Sequence, residues 1–459
     1  MNKQILIGIG CLCMLVNIML TNMTLAQSEV AWNGTTSSDF NTVANWASDV
    51  TNNIARFNAA PTNKNVVVTA STTVDSLLFN AGDGYIISST NNAVLTLVST
   101  DTATTAIKTA AQAAAVIKIS ADLHFGAGAG QTQYIYSSKD ITLSGNISGA
   151  SNLMLTGVNG GILTLTGNNN ALTGGFNANS NTSLTLNLGN STVLGTGTFT
   201  WNINNSNGRL NNVSGGKLII ANAVSLNQHL YFIGSDDLEF TGKITTAATR
   251  TISVLQNRLT VHDMELVGAL NKIGEGVLVM AGEAKLGSNS TVSAGTLLIN
   301  GTVDGRYDVS LSSIGGTGTL TTLNLNTSSS LAFELDSTFT KGLSITSQLG
   351  GQQATLAALN INLSTDGTFT GDDWFSLLDW GTFQSGRAID LSGISALGNL
   401  ADSIDTAMGT NGFRLDGNSL QVYLSIPEPA TWLLLGLGAV TLTVCRWRRR
   451  FRVRRGKAG

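Results

Sequence analysis

Residues 160–169 read GGILTLTGNN, and this short stretch contains the pattern that recurs along the chain. Its apolar residues alternate with threonine, and a period of two is typical of a half-buried β-strand. The glycines before it and the asparagines after it are turn formers that bound the strand. Related units recur at 270–282 (LNKIGEGVLVMAG) and 292–301 (VSAGTLLING), with a weaker echo at 315–320 (GGTGTL). A short strand that returns about every 20 residues predicts the stacked coils of a solenoid.

The same pattern extends over most of the chain. Alternating runs at 184–188 (LTLNL), 323–325 (LNL) and 359–363 (LNINL) predict half-buried strands. Uninterrupted apolar runs predict strands that are buried more fully; they lie at 66–68 (VVV), 218–220 (LII) and 297–299 (LLI). No proline occurs between Pro61 and Pro427, as expected where ladders need every backbone N–H. The alanine-rich segment 102–119 predicts either one short helix or another coil edge.

The units at 160–175 and 270–301 resemble the autotransporter-associated β-strand repeat of secreted bacterial passenger domains. The resemblance implies a right-handed parallel β-helix. We therefore expect an all-β protein in which a β cap and first coils occupy 27–100. The repeat region is expected to occupy 101–369 and a closing β cap 370–426.

Two aromatic-rich segments are expected to form these caps. Trp32, Trp46 and Phe57 are predicted to cover the open apolar end of the first coil. The alternative is an exposed platform on which sugars stack. Near the other end, residues 413–423 predict a hairpin around Asp416-Gly417 that shields the edge of the last coil.

The C-terminus has three parts in a fixed order. The tripeptide Pro427-Glu428-Pro429 comes first, and an apolar segment, 430–445, follows it. This segment is long enough to predict a short transmembrane helix. A basic tail, 446–457, closes the chain and is expected to stay in the cytoplasm. Its basic residues are Arg446, Arg448, Arg449, Arg450, Arg452, Arg454, Arg455 and Lys457.

This order of features resembles the PEP-CTERM sorting signal of Gram-negative bacteria. The resemblance implies that an exosortase, a membrane transpeptidase, recognises the tail and removes it near the tripeptide. An ordinary single-pass anchor is the alternative. Residues 1–26 are predicted to be a signal peptide cleaved before Gln27, with an uncleaved anchor as the alternative. The expected partners are therefore the secretion translocon, the inner membrane as an intermediate, and an exosortase.

The net charge and the positions of the cysteines exclude some functions for the exported part, 27–426. The whole chain has 25 Lys+Arg and 28 Asp+Glu, but the two terminal segments contain nine of these basic residues and only one acidic residue, so the exported part has a net charge of about −11. This charge argues against a nucleic-acid partner. The chain's three cysteines, Cys11, Cys13 and Cys445, all lie outside it, so it can form neither internal disulfides nor a cysteine metal site.

Few residues are candidates for a catalytic or metal-binding site. His124, His229 and His262 each lie in or beside a strand-like run and are expected to be structural. Asp237 with Glu239, and Asp263 with Glu265, are two residues apart and could present two carboxylates on one face of a strand; Asp236 precedes the first pair, and Asp372-Asp373 is a third candidate. Such pairs can hydrolyse glycans or bind Ca²⁺, but they are also ordinary on a solvated face. We predict no catalytic residue, metal or cofactor.

The sequence therefore predicts an exported, non-enzymatic protein of the cell surface or extracellular matrix. Adhesion or a structural role in a biofilm matrix is expected, with exopolysaccharide as a candidate partner. The alternatives are a polysaccharide-active β-helix enzyme and a glycan- or ice-binding module.

Overall fold

The computed structural model describes residues 27–426 except 59–60, 81–83, 100–104, 110–115, 158–159, 169–170, 205–207, 327, 352–358, 368, 370, 386–388 and 390. The predicted signal peptide, the sorting tripeptide, the predicted transmembrane helix 430–445 and the basic tail lie outside the described residues. Within the described part, no helix is both long and apolar enough to cross a membrane. The chain divides into two compact units, the first up to Gly175 and the second from Phe176.

The first unit consists of short strands and a 3₁₀ turn, Val43–Asn45. The strands are β1 (Glu29–Trp32), β2 (Ile54–Phe57), β3 (Asn65–Val68), β4 (Thr72–Val74), β5 (Ser76–Phe79), β6 (Ile86–Ser89), β7 (Val94–Leu97), β8 (Ile107–Thr109), β9 (Ile117–Ile119), β10 (Asp122–Phe125), β11 (Thr132–Ser137), β12 (Ile141–Leu143), β13 (Ile147–Gly149), β14 (Asn152–Gly157), β15 (Gly161–Leu165) and β16 (Ala171–Leu172).

These strands stack into parallel ladders, each with one strand per coil. The first ladder runs β1, β2, β5, β8, β11, β14. The second runs β3, β6, β9, β12, β15. The third runs β4, β7, β10, β13, β16. Successive coils are therefore joined by hydrogen bonds between the edges of their strands, as in a β-solenoid.

The second unit has the same construction over more coils. Its strands are β17 (Phe176–Ser180), β18 (Leu184–Leu188), β19 (Phe199–Ile203), β20 (Gly208–Asn212), β21 (Leu218–Ile220), β22 (Val224–Leu226), β23 (Leu230–Phe232), β24 (Leu238–Phe240), β25 (Ile244–Thr246), β26 (Arg250–Val254), β27 (Arg258–Val261), β28 (Met264–Leu266), β29 (Leu270–Ile273), β30 (Val277–Met280), β31 (Glu283–Lys285), β32 (Ser290–Val292), β33 (Thr296–Ile299), β34 (Thr302–Val309), β35 (Ser313–Gly315), β36 (Thr319–Leu325), β37 (Ser330–Leu335), β38 (Leu343–Gly350), β39 (Asn360–Thr365), β40 (Gly371–Phe383), β41 (Ser395–Leu397), β42 (Phe413–Asp416) and β43 (Ser419–Ile426), with 3₁₀ turns at Leu391–Gly393 and Ala401–Ser403.

Three parallel ladders again connect the described coils of this unit. The first begins β17, β19, β22, β25, β28, β31. The second begins β18, β20, β23, β26, β29, β32. Both continue into the long strands β34, β36, β38 and β40, whose register shifts partway along. The third runs β21, β24, β27, β30, β33, β35, β37, β39, β41.

The predicted coil length and alternation are confirmed. Hydrogen bonds between neighbouring coils join residues 20 apart, such as Leu270 and Ser290. The alternating runs 184–188 and 359–363 place their apolar residues in the interior and turn the intervening ones outward. The fold is therefore all-β with parallel ladders, as the sequence predicted, while the right-handed coil stays a prediction. The expected boundaries at 100 and 369 also stay predictions.

The corner between the second and third ladders has a left-handed backbone. Gly274 (φ 78°) and Gly295 (φ 64°) occupy it in two successive coils, where glycine adopts this conformation without a steric penalty. In the next coil Leu311 takes the same place with φ 54°, and its side chain is 73% exposed. A leucine in this position is strained, and it also exposes an apolar surface.

The N-terminal aromatic residues form a buried cluster. Trp32 and Trp46 lie edge to face with ring centroids 5.0 Å apart, and Trp46 is 5.7 Å from Phe57. All three are buried, and the indole N–H groups donate to the carbonyl oxygens of Asn63 and Phe40. Buried rings cannot stack on a sugar, so the alternative of an exposed platform is wrong.

The C-terminal hairpin is confirmed. β42 and β43 pair in antiparallel fashion, with Asp416 opposite Ser419. The two-residue turn is Gly417-Asn418, and Gly417 has the positive φ of 58° that this turn needs. β43 also pairs in antiparallel fashion with β40 along its whole length. This antiparallel sheet ends the run of parallel strands that leads up to β40.

Two expectations about single segments have mixed outcomes. Where the segment 102–119 is described, it forms the strands β8 and β9, as the coil-edge alternative predicts; its alanine-rich middle, 110–115, lies outside the described residues. The apolar side chains of Ile107, Ile117 and Ile119 are buried, and β-branched residues favour strands. The expectation that uninterrupted apolar runs are buried more fully holds for 297–299, but Val67 in 66–68 is half-buried and Ile219 in 218–220 is 45% exposed.

Candidate functional site: the outer face of the third ladder

The first predicted carboxylate pair is tied into contacts between coils. Glu239 lies on the outer side of β24 and accepts hydrogen bonds from Lys217 at 2.5 Å and from His262 Nε2 at 2.7 Å. The hydrogen bond from Lys217 lowers the pKa of Glu239. Asp237 instead accepts the backbone N–H of Arg258 at 3.0 Å. The two carboxylates therefore have separate partners.

The second pair is divided in the same way. Asp263 accepts the backbone N–H of Glu283 at 2.9 Å, whereas Glu265 forms an ion pair with Lys243 at 2.6 Å. The hydrogen bond from Lys243 lowers the pKa of Glu265. In both pairs, one carboxylate caps the backbone of the next coil and the other neutralises a lysine.

The remaining acidic candidates also have partners. Asp236 accepts the backbone N–H of Gly215 at 3.0 Å. Asp372 accepts the Tyr423 hydroxyl at 3.1 Å, which raises the pKa of that phenol. Asp373 accepts the backbone N–H of Trp374 at 2.7 Å. Within the described part of the chain, no three His, Cys, Asp or Glu side chains are grouped as metal ligands.

Each histidine contacts a neighbouring coil. His124 Nδ1 lies 2.9 Å from Ser148 Oγ, and His229 Nδ1 accepts the backbone N–H of Thr251 at 2.9 Å. Burial, together with the nearby Arg250, lowers the pKa of His229. His262 shares Glu239 with Lys217. The structure thus places all three histidines in structural contacts.

The structure reveals a different feature on the outer face of the third ladder. Val279, Leu298 and Ala332 point away from the coil interior, yet they are only 3%, 2% and 7% exposed. They form an apolar cluster with the half-buried Val277 and Ala281. An outward residue of a solenoid normally faces water, so these side chains must lie in a concave part of the surface.

Gly315 explains the concavity. Its position in β35 lies between Leu298 of β33 and Ala332 of β37. A Cβ atom at Gly315 would stand 1.6 Å from the Ala332 carbonyl oxygen, so β37 folds over the outer side of β35. β33 and β37 also approach each other across β35. The missing side chain lets the ladder bend outward and form a trough.

An ion pair crosses this trough. Arg258 on β27 donates to Glu334 on β37, although three strands of the ladder lie between them. Strands are spaced by about 4.8 Å, so four steps along a flat sheet would separate the two backbones by about 19 Å, beyond the reach of both side chains. The contact therefore requires the bend at Gly315.

A cleft lies at each end of the ion pair. The first has a volume of about 460 Å³ and is lined by Asp237, Leu255, Gln256, Asn257, Arg258, Glu275, Gly276 and Val277. The second has a volume of about 330 Å³ and is lined by Leu298, Asn300, Gly316, Thr317, Glu334, Asp336, Thr338 and Thr340. Both volumes are in the range of ligand sites in proteins. We call the two clefts and the surface between them the trough.

Sequence reasoning missed the trough, although one signal was present. The uninterrupted apolar run 297–299 predicts a strand that is buried more fully than an alternating one, and a strand of a solenoid can bury both faces only if its outer face is shielded from water. The partnership of Arg258 and Glu334, 76 residues apart, has no local signal.

Comparison with known proteins identifies the C-terminal segment. Residues 425–450 match the PEP-CTERM protein-sorting motif. Such a motif directs exosortase-dependent export to the cell surface in Gram-negative bacteria. No curated protein and no solved structure matches the chain. The resemblance of 160–175 and 270–301 to the autotransporter-associated repeat stays a prediction.

The structure shows where this motif begins relative to the fold. Ile426, the last residue of β43, pairs with Gly371 on β40, and Pro427 follows it directly. The sorting tripeptide is therefore joined to the C-terminal antiparallel sheet without a spacer.

Proposed function

We propose that the chain is a non-enzymatic surface or extracellular-matrix protein with a role in adhesion or in biofilm structure. The observation that supports this proposal is that the predicted acidic pairs are used in contacts between coils. Catalysis of glycan hydrolysis needs two carboxylates that flank one bond. Asp237 and Asp263 are instead used to cap backbone N–H groups, and Glu239 and Glu265 to pair with lysines.

The surface chemistry supports a binding and structural role. The outward positions of the ladders are occupied largely by threonine, asparagine and serine, for example Thr185 and Asn187 on β18. Their hydroxyl and amide groups can hydrogen-bond to hydrated polymers without a strong charge preference. The PEP-CTERM motif brings this surface to the outside of the cell.

Tail processing tests the route. One epitope tag is placed in an exposed turn of the exported part and a second after Gly459, in a host with and without its exosortase. We expect the C-terminal tag to be lost only when the exosortase is present, while the first tag reaches the cell surface. If both tags remain together in the inner membrane in both strains, the tail is a permanent anchor and the proposed function fails.

The matrix role needs its own test. A strain lacking the chain should form a biofilm that releases more polysaccharide and more cells under shear than the parent strain. Complementation with the full chain should restore cohesion, whereas a chain with Pro427 and Pro429 replaced by alanine should not. Equal cohesion in all strains would contradict the matrix role.

The polysaccharide-active enzyme is the second candidate, and it makes a sharp prediction. If the acidic pairs were catalytic, Glu239→Gln and Glu265→Gln would each abolish glycan cleavage. We expect no cleavage of a broad glycan panel by the unmodified chain in the first place, measured as new reducing ends. Cleavage that disappears in either variant would favour the enzyme.

A further inference from the structure

We propose that the trough on the third ladder binds a neutral polysaccharide chain, which lies across the Arg258–Glu334 ion pair with its sugar units in the two flanking clefts. The inference rests on the proposed function, since a matrix protein needs a surface that holds its polymer.

The shape of the trough fits an extended chain. Val279, Leu298 and Ala332 form an apolar floor with little exposed surface, so a ligand in the trough would contact mainly the ion pair and the cleft walls above this floor. Arg258 lines one cleft and Glu334 lines the other, and the ion pair between these two residues places the clefts next to each other. A ligand that fills both must continue between them, as a polymer does.

The lining favours a polyhydroxylated ligand. Gln256 and Asn257 contribute amides to the first cleft, and Asn300, Thr317 and Thr338 contribute an amide and hydroxyls to the second. Amides and hydroxyls both donate and accept, which matches the hydroxyl groups of sugars. Asn257 is held in place because its amide donates to the carbonyl oxygens of Gly234 and Ser235, at 2.7 and 3.0 Å.

The ladder argues against an extended peptide. Peptides bind sheets by adding a strand to an edge with unpaired backbone groups. At the floor of the trough, β30 pairs with β27 and β33, and β33 pairs with β30 and β35. These strands have ladder partners on both sides, so the trough floor offers no edge to a peptide backbone.

The charge argues against an acidic polymer. The clefts contain four carboxylates, those of Asp237, Glu275, Glu334 and Asp336, and one guanidinium, that of Arg258. A chain of uronic acids would bring further negative charges next to these carboxylates, and this is unfavourable. A neutral chain avoids this repulsion.

Calorimetric titration of the purified full chain in detergent tests the proposal. The probes are three neutral hexasaccharides (of β-1,4-glucose, α-1,4-glucose and β-1,4-N-acetylglucosamine), the acidic hexagalacturonate, and hexalysine. We expect saturable binding of at least one neutral probe, and weaker binding of both charged probes. The double variant Gln256→Leu/Asn300→Leu, which removes one amide from each cleft, should bind that probe at least tenfold more weakly. Gln131→Leu, at an exposed position in the first unit, should bind it as the unmodified chain does.

Several results would overturn the proposal. These are no binding of any neutral probe, tighter binding of hexagalacturonate or hexalysine, and equal affinity of the double variant and the unmodified chain. Circular dichroism of each variant checks that it is folded. The titration does not depend on sorting or on a biofilm, so failure of the proposed function would appear in the cohesion assay while binding remained intact.

Discussion

Lys272 gives a prediction whose sign and size follow from its surroundings. Its side chain is completely buried and points inward from β29, between Ile252 and Val292 of the neighbouring coils. The ammonium group donates to three carbonyl oxygens, those of Ile273, Gly274 and Ala294, at 3.0, 2.6 and 3.0 Å. Burial lowers the pKa of Lys272 to about 8.

A lowered lysine pKa makes stability rise with pH. Between about pH 8 and 10.5 the unfolded chain holds a proton that the folded chain has lost, so raising the pH favours folding. From pH 7 to pH 9.5 the shift corresponds to a gain of about 2 kcal/mol in the free energy of unfolding. Tyr307 does not interfere, because burial raises its pKa and its effect on stability begins only above about pH 10.

Urea denaturation at pH 7.0 and pH 9.5, followed by tryptophan fluorescence and by circular dichroism, measures this gain. We expect the unmodified chain to gain about 2 kcal/mol, and Lys272→Met to gain almost nothing. Lys341→Met, which alters an exposed lysine of the same unit, is the matched control and should behave as the unmodified chain does. Only the change with pH is compared, because methionine also leaves three carbonyl oxygens without their donor.

Either of two results would refute this reasoning. The unmodified chain could show no rise in stability between the two pH values, or Lys272→Met could show the same rise. Coils of a solenoid can unfold separately, so both probes must report the same transition before free energies are compared.

Three substitutions in the second unit test a strained corner, the bend at Gly315 and the ion pair of Glu239. Leu311→Gly should stabilise the chain by up to about 1 kcal/mol because it removes a leucine with a left-handed backbone, whereas Leu415→Gly, in a strand, should destabilise it by about 1 kcal/mol. Thermal unfolding measures both changes, and a loss of stability in Leu311→Gly would contradict the strain argument. Gly315→Val should destabilise the chain by more than about 3 kcal/mol because its side chain would collide with the backbone of β37, while Gly216→Val, where nothing lies within 4 Å, should change little. Glu239→Gln should reduce stability at pH 7 by about 1 kcal/mol because it breaks the ion pair with Lys217. The difference in stability from the unmodified chain should vanish as the pH falls below the lowered pKa of Glu239. If thermal unfolding showed the same difference at pH 3, the carboxylate could not be its source.

The sequence could predict the coils because their signal is local. Alternation of apolar and polar residues, as in 184–188, is set by which side of a strand faces the interior, and the turn formers stand next to each strand. The buried cluster of Trp32, Trp46 and Phe57 was predictable for a similar reason, since large rings are stabilised most by burial.

The trough could not be predicted because its causes are far apart in sequence. Leu298 and Ile219 occur in almost identical apolar runs, yet one is buried and the other exposed. The difference depends on the bend at Gly315, which lies in another coil. The pairing of Arg258 with Glu334 depends on the same bend, and no spacing within either strand indicates it.

The position of β43 has a mechanical consequence. A chain attached to an anchor beyond Ile426 transmits tension directly into β43, since Pro427 follows without a spacer. β43 is hydrogen-bonded to β40 on one side and to β42 on the other. A pull along its axis loads many of these bonds at once in shear, whereas a sideways pull opens them one after another, beginning at the pair Ile426–Gly371. The direction of the tether therefore sets the rupture force of the attachment, and a flow that drags the protein along β43 is resisted best.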